Sequence, residues 1–285
     1  MSSPLDHIIH LTSPGKLQET VCVFQEHGFE VLPGGKHADG LTENALIVLE
    51  DGVYIELIQF VQPLEQYQEG SPEWEARRDH WWASMKENGW IDYSLGDLTG
   101  PEDAPIGTTI NERAKETGVN LEYDKGLEGG RIKPDGDILR WLVTFPAKQH
   151  LRGSVPFFCK DLTPRSRRVP WDKAGTAPTN KARIAAVTLK TTPENFMRYH
   201  SELSTVLGTS AEPSEDGRPG AAFWKLSSPA SAGSIELYLQ SAENTEETDW
   251  INSVAGIGLW EVAIRRTGSN NAQQFPSNIA QLKWD

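Results

Sequence analysis

Two short stretches near the start of the chain decide its fold: residues 5–11 read LDHIIHL, and residues 53–58 read VYIELI. Both are rich in β-branched and aromatic residues, which favours β-strands. Between them, apolar residues at helical spacing predict a helix over 14–27, and short apolar runs predict strands at 30–33 and 44–50. A strand, a helix and three further strands make one βαβββ unit.

His7 lies on the first strand of this unit and Glu56 on the last. Because side chains alternate along a strand, Glu56 shares a face with Tyr54 and Ile58. A carboxylate on an otherwise apolar face is costly unless it is paired, metal-bound or protonated. An imidazole and a carboxylate suit Zn, Fe, Mn or Ni, so His7 and Glu56 are predicted ligands of a divalent metal. Two alternatives stay open: His7 as a general base or a core histidine, and Glu56 on a solvated face.

A glycine-rich turn at residues 33–40 contains His37. The turn lacks the spacing of a nucleotide-binding loop and precedes no helix, so no nucleotide cofactor is expected. A turn residue lies at the surface by default, but this turn could also bring His37 over His7 and Glu56, as a catalytic group or a third ligand. Asn44, at the start of the next strand, is a candidate for binding substrate oxygens or for bonding the turn backbone.

The unit recurs twice along the chain. Units at 4–62 and 89–162 are predicted to form one domain, residues 1–162. Residues 163–182 are basic and proline-rich and predict a linker whose arginines pair with acidic residues, and residues 183–285 predict a third unit with a polar tail. The elements predicted in the later units are strands at 90–98, 119–123, 138–145, 155–160, 184–190, 221–226, 234–240 and 258–266, and helices at 106–117 and 193–207.

A helix is also predicted between the first two units, at 71–88, with Ser71 as its cap. Its tryptophans Trp74, Trp81 and Trp82 form an apolar stripe. Such a stripe predicts packing in a core or an interface rather than a cage around a ligand.

Composition narrows the class of protein. A net charge of −13 and a pI of about 5.0 oppose binding to nucleic acid. No apolar run is long enough to cross a membrane, and no signal peptide is apparent, so a cytoplasmic protein is expected. Cys22 and Cys159 are too few for a disulfide framework, which fits a reducing compartment. Cys22 is predicted to lie on the buried face of the first helix.

An ordered set of short motifs accompanies these units. They are LDH at 5–7, GF at 28–29, PGGKH at 33–37, Gly40, Thr42 and Asn44, YIEL at 54–57, PDG at 134–136, LRW at 139–141 and PFF at 156–158. The set resembles the vicinal oxygen chelate superfamily (glyoxalases, bleomycin-resistance proteins and extradiol dioxygenases), and within it the glyoxalase-like domain family. The resemblance covers about residues 4–162, and the third unit only in its pattern. It implies an α+β fold in which paired βαβββ units form a cup-shaped mixed sheet, with His7 and Glu56 as metal ligands inside the cup.

The later units depart from the metal-binding pattern of that superfamily. Tyr93 stands where the first unit has its histidine, and Lys160 or a neighbour stands near the place of its acid. In the third unit Ala185 replaces the histidine, although Glu236 keeps the acid. No three- or four-ligand set is therefore visible in any pair of units.

Further candidates for the site come from the second unit. Tyr93 is a predicted catalytic residue if it faces into the cup. Arg140 and Trp141 are neighbours on one strand, so they point to opposite faces and one of them is expected to line the cup. Both are predicted to bind substrate, as is Phe157.

The resemblance implies a small-molecule enzyme acting on a carbonyl or enol substrate, as an isomerase, lyase or cyclase, with oxidative ring opening less favoured. Tailoring of a natural product lies within the range of the family. The alternative is a metal-free protein that binds a hydrophobic small molecule, of the bleomycin-resistance type. A small molecule is thus the expected partner, without nucleic acid or membrane, and a homodimer is allowed.

Overall fold

The computed structural model describes residues 3–100, 102–133, 136–170, 180–213, 220–230, 233–269 and 271–277. Parts of the predicted turn at 134–136, of the predicted linker and of the predicted tail lie outside these residues.

The chain alternates strands with six helices in the described ranges. The strands are β1 (Leu5–Thr12), β2 (Leu32–Lys36), β3 (Thr42–Val48), β4 (Tyr54–Phe60), β5 (Gly89–Gly96), β6 (Leu127–Ile132), β7 (Ile138–Thr144), β8 (Phe157–Asp161), β9 (Ala182–Thr191), β10 (Glu212–Pro213), β11 (Ala221–Ser227), β12 (Ser234–Ser241), β13 (Ile257–Arg266) and β14 (Ala272–Pro276). The helices are α1 (Leu17–Glu26), α2 (Pro72–Arg78), α3 (Ile106–Thr117), α4 (Arg165–Arg168), α5 (Phe196–Leu207) and α6 (Thr245–Ser253), with 3₁₀ turns at Leu64–Gln66 and Pro193–Asn195.

The first eight strands form one mixed sheet in the order β2-β3-β4-β1-β5-β8-β7-β6. The two βαβββ units meet where β1 pairs antiparallel with β5. The two edge strands also approach each other, because His37 and Arg131 form an antiparallel bridge and the Ala38 amide donates to Gly130 O at 2.9 Å. The sheet is therefore nearly closed, and the predicted α+β fold with a cup-shaped sheet is confirmed.

The two faces of this sheet bury different sets of side chains. Ile9 and Ile58 belong to an apolar cluster on the cup side, whereas Ile8 belongs to the cluster on the back. His10 also lies at the back, with its ring 5.2 Å from that of Trp90, and burial lowers its pKa to about 4. Alternation along β1 thus directs His7 and His10 to opposite faces, as the sequence predicts.

Strands β9 to β14 form a second sheet in the order β10-β11-β12-β9-β13-β14. Its core residues Leu189 and Trp224 lie in the same apolar cluster as Ile8 at the back of the first sheet. Trp90 Nε1 of β5 donates to Phe275 O of β14 at 2.8 Å. The third unit therefore packs against the back of the cup and shares its core, while the division into domains stays a prediction.

Several predicted elements differ from those observed. The helix predicted over 71–88 ends at Arg78, and residues 79–88 form turns. The strand predicted at 119–123 is only a single bridge at Tyr123, and the second unit instead has strand β6. Helix α6 was not predicted, although Asn244 accepts the Glu247 amide at 2.9 Å as an N-cap.

Cys22 is exposed, which corrects its predicted burial. The buried face of α1 is formed by Val21 and Phe24, three residues apart, and Cys22, one position after Val21, points away from that face. Cys159 is buried. None of the helices in the described part of the chain is long and apolar enough to cross a membrane.

Candidate active site

His7 and Glu56 meet at the floor of the cup. Strands β1 and β4 run parallel, with Ile9 opposite Glu56, so both side chains project from the same face. His7 Nε2 lies 3.5 Å from Glu56 Oε2, and the two residues are 3% and 6% exposed. The acid and the imidazole are thus within reach of one bound substrate.

His37 approaches the same carboxylate from the other side. Closure of the sheet places its Nε2 3.6 Å from Glu56 Oε1, while its Nδ1 lies 2.7 Å from Thr42 Oγ1. Burial lowers the pKa of His37 below its usual value, against the opposing charges of Glu56 and Asp39. His37 is therefore a neutral imidazole at pH 7.

Asn44 connects these groups. Its Nδ2 donates to Glu56 Oε1 at 2.5 Å and lies 3.3 Å from His37 Nε2. Its Oδ1 lies so close to the backbone of Gly34 that a Cβ there would collide with it. The glycine in the turn therefore has a steric role, since it gives room to the amide that holds Glu56.

Arg131 adds a buried positive charge to the cup. It is 5% exposed, and its Nη1 donates to Asn44 Oδ1 at 2.8 Å. Within the described residues, its Nε has no hydrogen-bond partner and no carboxylate lies within 4.0 Å of its guanidinium. Burial lowers its pKa, and the charge of Glu56 opposes that effect. Arg131 lies on β6 opposite His37, and this pairing places its positive charge beside the other groups of the site.

A second ionic layer lies beneath His7. Its Nδ1 is 2.6 Å from Asp6 Oδ2, and Asp6 in turn forms ion pairs with Arg165 and Arg168. Burial by itself would raise the pKa of Asp6, but the charges of Arg168 and Arg165 and the bond from His7 lower it well below its usual value. Asp6 thus stays ionised and orients His7.

Arg168 ties this layer to the wall of the cup. Its Nη1 donates to Tyr54 Oη at 2.7 Å, and its Nε donates to Asp161 Oδ1 at 2.6 Å. The ring of Tyr54 stacks on that of His7 with centroids 4.6 Å apart. The predicted pairing of these arginines with acidic residues is therefore present. Through Asp6 and Tyr54, which both contact His7, Arg168 holds the imidazole in place from two sides.

The lowered pKa of Asp6 makes a prediction about stability. A carboxyl whose folded pKa lies below its unfolded value of about 3.9 stabilises the fold above that value, and its contribution is lost as the pH falls through the folded pKa. We expect Asp6→Asn to lower the free energy of unfolding by a constant amount between pH 5 and 7. Below about pH 4 the difference from the wild type should shrink. Urea unfolding at pH 7, 5 and 3 checks this, and an unchanged difference at pH 3 would contradict it.

Aromatic side chains form the walls above this polar floor. The cup has a volume of about 250 Å³. The rings of Trp81 and Phe145 stack at 4.6 Å, and those of Phe145 and Phe157 at 4.8 Å. Trp82 and Trp141 complete the wall. A small molecule that fits this cup would present an apolar part to these rings and a polar part to the floor.

The structure brings most of the predicted site residues together, but not Tyr93 or Arg140. Tyr93 pairs with Ile8 and lies in the core behind the cup, which corrects its predicted inward position. Arg140 is exposed and paired with Glu128 at 2.5 Å outside the cup, whereas its neighbour Trp141 lines it.

The strand registers show what the second unit contributes instead. Ser94, not Tyr93, lies opposite His7. Ser94 pairs with Phe157, and Cys159 lies two residues further along β8, as Glu56 does on β4. Burial raises the pKa of the Cys159 thiol, so this position is neutral. The imidazole and the carboxyl group at the floor therefore both come from the first unit.

The donors at the floor have the chemistry of metal ligands, but their arrangement does not fit the predicted metal centre. Within the described residues, no group of three or more His, Cys, Asp or Glu side chains is placed to hold a metal ion. His37 Nε2 and Glu56 Oε1 already face the Asn44 amide. We therefore derive no step through a metal.

Comparison with known proteins identifies the family. A sequence profile described as glyoxalase-like domain matches residues 5–205. No curated protein matches the chain. Among solved structures it is similar to a hypothetical protein from Staphylococcus aureus, at 15% identity and a TM-score of 0.63, over 93% of this chain and 92% of that one.

Two further solved structures are similar at lower TM-scores. One is a mutant of 4-hydroxymandelate synthase from Streptomyces coelicolor, at 13% identity and a TM-score of 0.49, over 93% of this chain and 71% of that one. The other is a mutant of glyoxalase I from Zea mays, at 13% identity and a TM-score of 0.30, over 85% and 70%. With the profile match over most of the chain, the predicted membership is confirmed: the chain belongs to the glyoxalase-like domain family.

Proposed function

We propose that this protein is an enzyme that transfers a proton at the carbon next to a carbonyl group of a small organic substrate, as an isomerase, lyase or cyclase. The observation that supports the proposal most is the 3.5 Å approach of His7 Nε2 to Glu56 Oε2 at the floor of an aromatic cup. An acid and a base within reach of one substrate are what enolisation requires.

Glu56 is the proposed base. Its carboxylate takes the proton from the α-carbon, and the electron pair of the broken C–H bond moves onto the carbonyl oxygen to give an enolate. Returning the proton to carbon completes an isomerisation, and expelling a group from the β-carbon completes an elimination. His7 exchanges protons with the intermediate, and Asp6, 2.6 Å from its Nδ1, holds the imidazole in place for this exchange.

Arg131 is the proposed partner of the enolate oxygen. Its buried guanidinium has a free Nε within the described residues and lies beside Asn44, which holds the base. Donors already in place where negative charge develops lower the barrier more than donors in water would. A substrate with an apolar body and a carbonyl that ends at Arg131 suits this cup.

Hydrogen exchange tests the proposal without knowledge of the natural substrate. The protein is incubated in D₂O with a panel of 2-oxo acids, α-hydroxyketones and 1,3-diketones that carry aromatic or aliphatic groups. We expect ¹H NMR to show loss of the α-proton signal above the rate with heat-denatured protein for at least one class. Binding of such compounds without exchange of any of them would contradict the proposal.

The geometry also predicts independence of metal. If the floor works as an acid–base pair, dialysis against a chelator should leave the exchange rate within about twofold. Metal analysis of untagged protein provides the second measurement. Stoichiometric metal that is lost in His7→Ala and Glu56→Gln, together with the activity, would instead establish the ligand role that the sequence predicts for these residues.

One observation favours a second candidate, a protein that binds a hydrophobic small molecule without chemistry. Trp81, Phe145 and Phe157 form a continuous stack along the wall. Such a protein would bind aromatic ligands in the same panel with no exchange, and Glu56→Gln would leave the affinity unchanged. Tailoring of natural products stays a prediction from the family.

A further inference from the structure

A second cavity lies outside the cup, between the first sheet and the third unit. It has a volume of about 390 Å³, larger than the cup and within the range of small-molecule sites. One side is formed by residues 79–81, 84–91, 148 and 150–152, and the other by the end of α6 and the start of β13. Of the residues that the structure describes, only His80 and Trp81 line both cavities.

The walls of this second cavity are aromatic. Trp81 lines it from the segment between the first two units, Trp90 lines it from β5, and Trp250 lines it from α6. Indole faces offer large, rigid apolar contact to a flat ligand. A small inorganic ion would make no use of this apolar surface, so the walls favour an aromatic ligand.

Arg152 lines the same cavity and is unusually poor in partners for a buried charge. It is 8% exposed, and its Nη2 donates to Pro146 O. Within the described residues, its Nη1 has no hydrogen-bond partner and no carboxylate lies within 4.0 Å of its guanidinium. The guanidinium carbon lies over the rings of Trp81 at 4.9 Å and Phe145 at 5.0 Å. Burial lowers the pKa of Arg152, and the charge of the buried Asp92, which lies beyond ion-pair distance, opposes that effect. A buried guanidinium nitrogen without a hydrogen-bond partner is costly, and an anion bound directly to it would relieve that cost.

Other charges around the rim are mixed. Lys86 bonds Ser253 Oγ at 3.2 Å and Lys148 bonds Asp79 O at 3.3 Å, so both lysines stand at the mouth. Asp79 and Glu87 also line it. The acids are exposed and the arginine is buried, so the interior favours negative charge.

We propose that this second cavity binds a small aromatic anion, a carboxylate or sulfonate on a flat ring system, with its charged group on Arg152 and its ring against the tryptophans. The site is separate from the floor that holds Glu56, and its ligand is not the substrate of the proposed proton transfer.

Two probes that differ only in charge test this proposal on the full chain. They are 1-anilinonaphthalene-8-sulfonate and the neutral N-phenyl-1-naphthylamine, which has the same rings without the sulfonate. Binding is followed by energy transfer from tryptophan. A hydrogen-bonded charge pair should make the anion bind about 10- to 100-fold more tightly than the neutral probe. In Arg152→Met this difference should vanish, while the neutral probe binds as in the wild type.

The matched control is Arg131→Met, which removes the buried arginine of the cup. If this variant weakens the anion and Arg152→Met does not, the probe lies in the cup and the proposal is overturned. Equal affinity of the wild type for the two probes overturns it as well. If Arg152→Met does not fold, a second variant tests the proposal. Ser84 is exposed and lines the second cavity, so the bulky side chain of Ser84→Trp should block binding of both probes. Retained binding of the probes to folded Ser84→Trp would overturn the proposal.

Discussion

Replacing Glu56 by Gln is expected to lower the rate of α-proton exchange about 1,000-fold. Glutamine keeps the shape of the side chain and an oxygen that accepts from Asn44 Nδ2, now 2.5 Å from Glu56 Oε1. It removes the only carboxylate that faces both His7 and His37 within the described residues. General base catalysis contributes about 10²- to 10⁴-fold, and the expected loss lies within that range.

Glu236→Gln is the matched control for this substitution. Glu236 follows Ser234 and Ile235 on β12, as Glu56 follows Tyr54 and Ile55 on β4, but it belongs to the second sheet. Its carboxylate accepts from Tyr238 Oη at 2.6 Å. The control should exchange substrate protons at the wild-type rate. Circular dichroism of both variants shows whether they are folded, and a folded Glu56→Gln with more than half of the wild-type rate would rule out the base.

The first unit could be predicted from the sequence because its signals are local. Alternation along β1 and β4 places His7 and Glu56 on one face, and the structure confirms that they meet. The glycines before His37 mark a turn at the edge of the sheet. The eight-stranded sheet closes, so this edge meets the opposite edge and His37 lies over the floor of the cup. No local sequence pattern predicts this closure.

The second unit shows why strand alignment from sequence fails by one residue. The pairing of β5 with β1 is irregular between Ile9 and His10, opposite Asp92 and Trp90. An extra residue in one strand reverses the direction of the side chains that follow. Tyr93 therefore points to the core behind the cup, and Ser94 takes the position opposite His7. No pattern in the residues 90–98 indicates this irregularity.

The support that Arg131 and Arg168 give to the site was missed for a different reason, although the arginines of 163–182 were predicted to pair with acidic residues. Arg131 and Arg168 act on Asn44 and Asp6 across 87 and 162 residues of chain. Basic residues in a polar stretch predict a solvated surface, since burial of a charge depends on partners from distant elements. The segment from 163 to 168 is therefore part of the support of the cup, although its composition is that of a linker.

Arg168→Met is expected to lower the free energy of unfolding by about 3–5 kcal/mol. Arg168 is 5% exposed, and the variant removes its ion pairs with Asp6 and Asp161. It also removes the hydrogen bond that Arg168 donates to Tyr54 Oη. Removing one partner of a buried ion pair costs more than the pair contributed, because the remaining charge stays buried. Urea unfolding at pH 7 measures the change.

The surface pair between Arg140 and Glu128 supplies the control. These side chains are 55% and 51% exposed, so Arg140→Gln should change the free energy of unfolding by less than about 1 kcal/mol and leave the exchange rate unaltered. A loss of activity in this variant would restore the predicted role of Arg140 in binding substrate. A change of less than about 1 kcal/mol in Arg168→Met would mean that the buried layer beneath His7 does not hold the fold together.

The double variant Asp6→Asn with Arg168→Met separates pairing from packing. If the two groups stabilise each other at 3.2 Å, the double variant should lose less than the sum of the single losses, because neither partner is left as an unpaired buried charge. The coupling energy between Asp6 and Arg168 should also weaken below about pH 4. Protonation of Asp6 there removes the negative charge that Asp6→Asn removes at pH 7. Additive losses at pH 7 would show that Arg168 acts through Tyr54 and Asp161 alone, and that Arg165 is the partner that keeps Asp6 ionised beneath the imidazole.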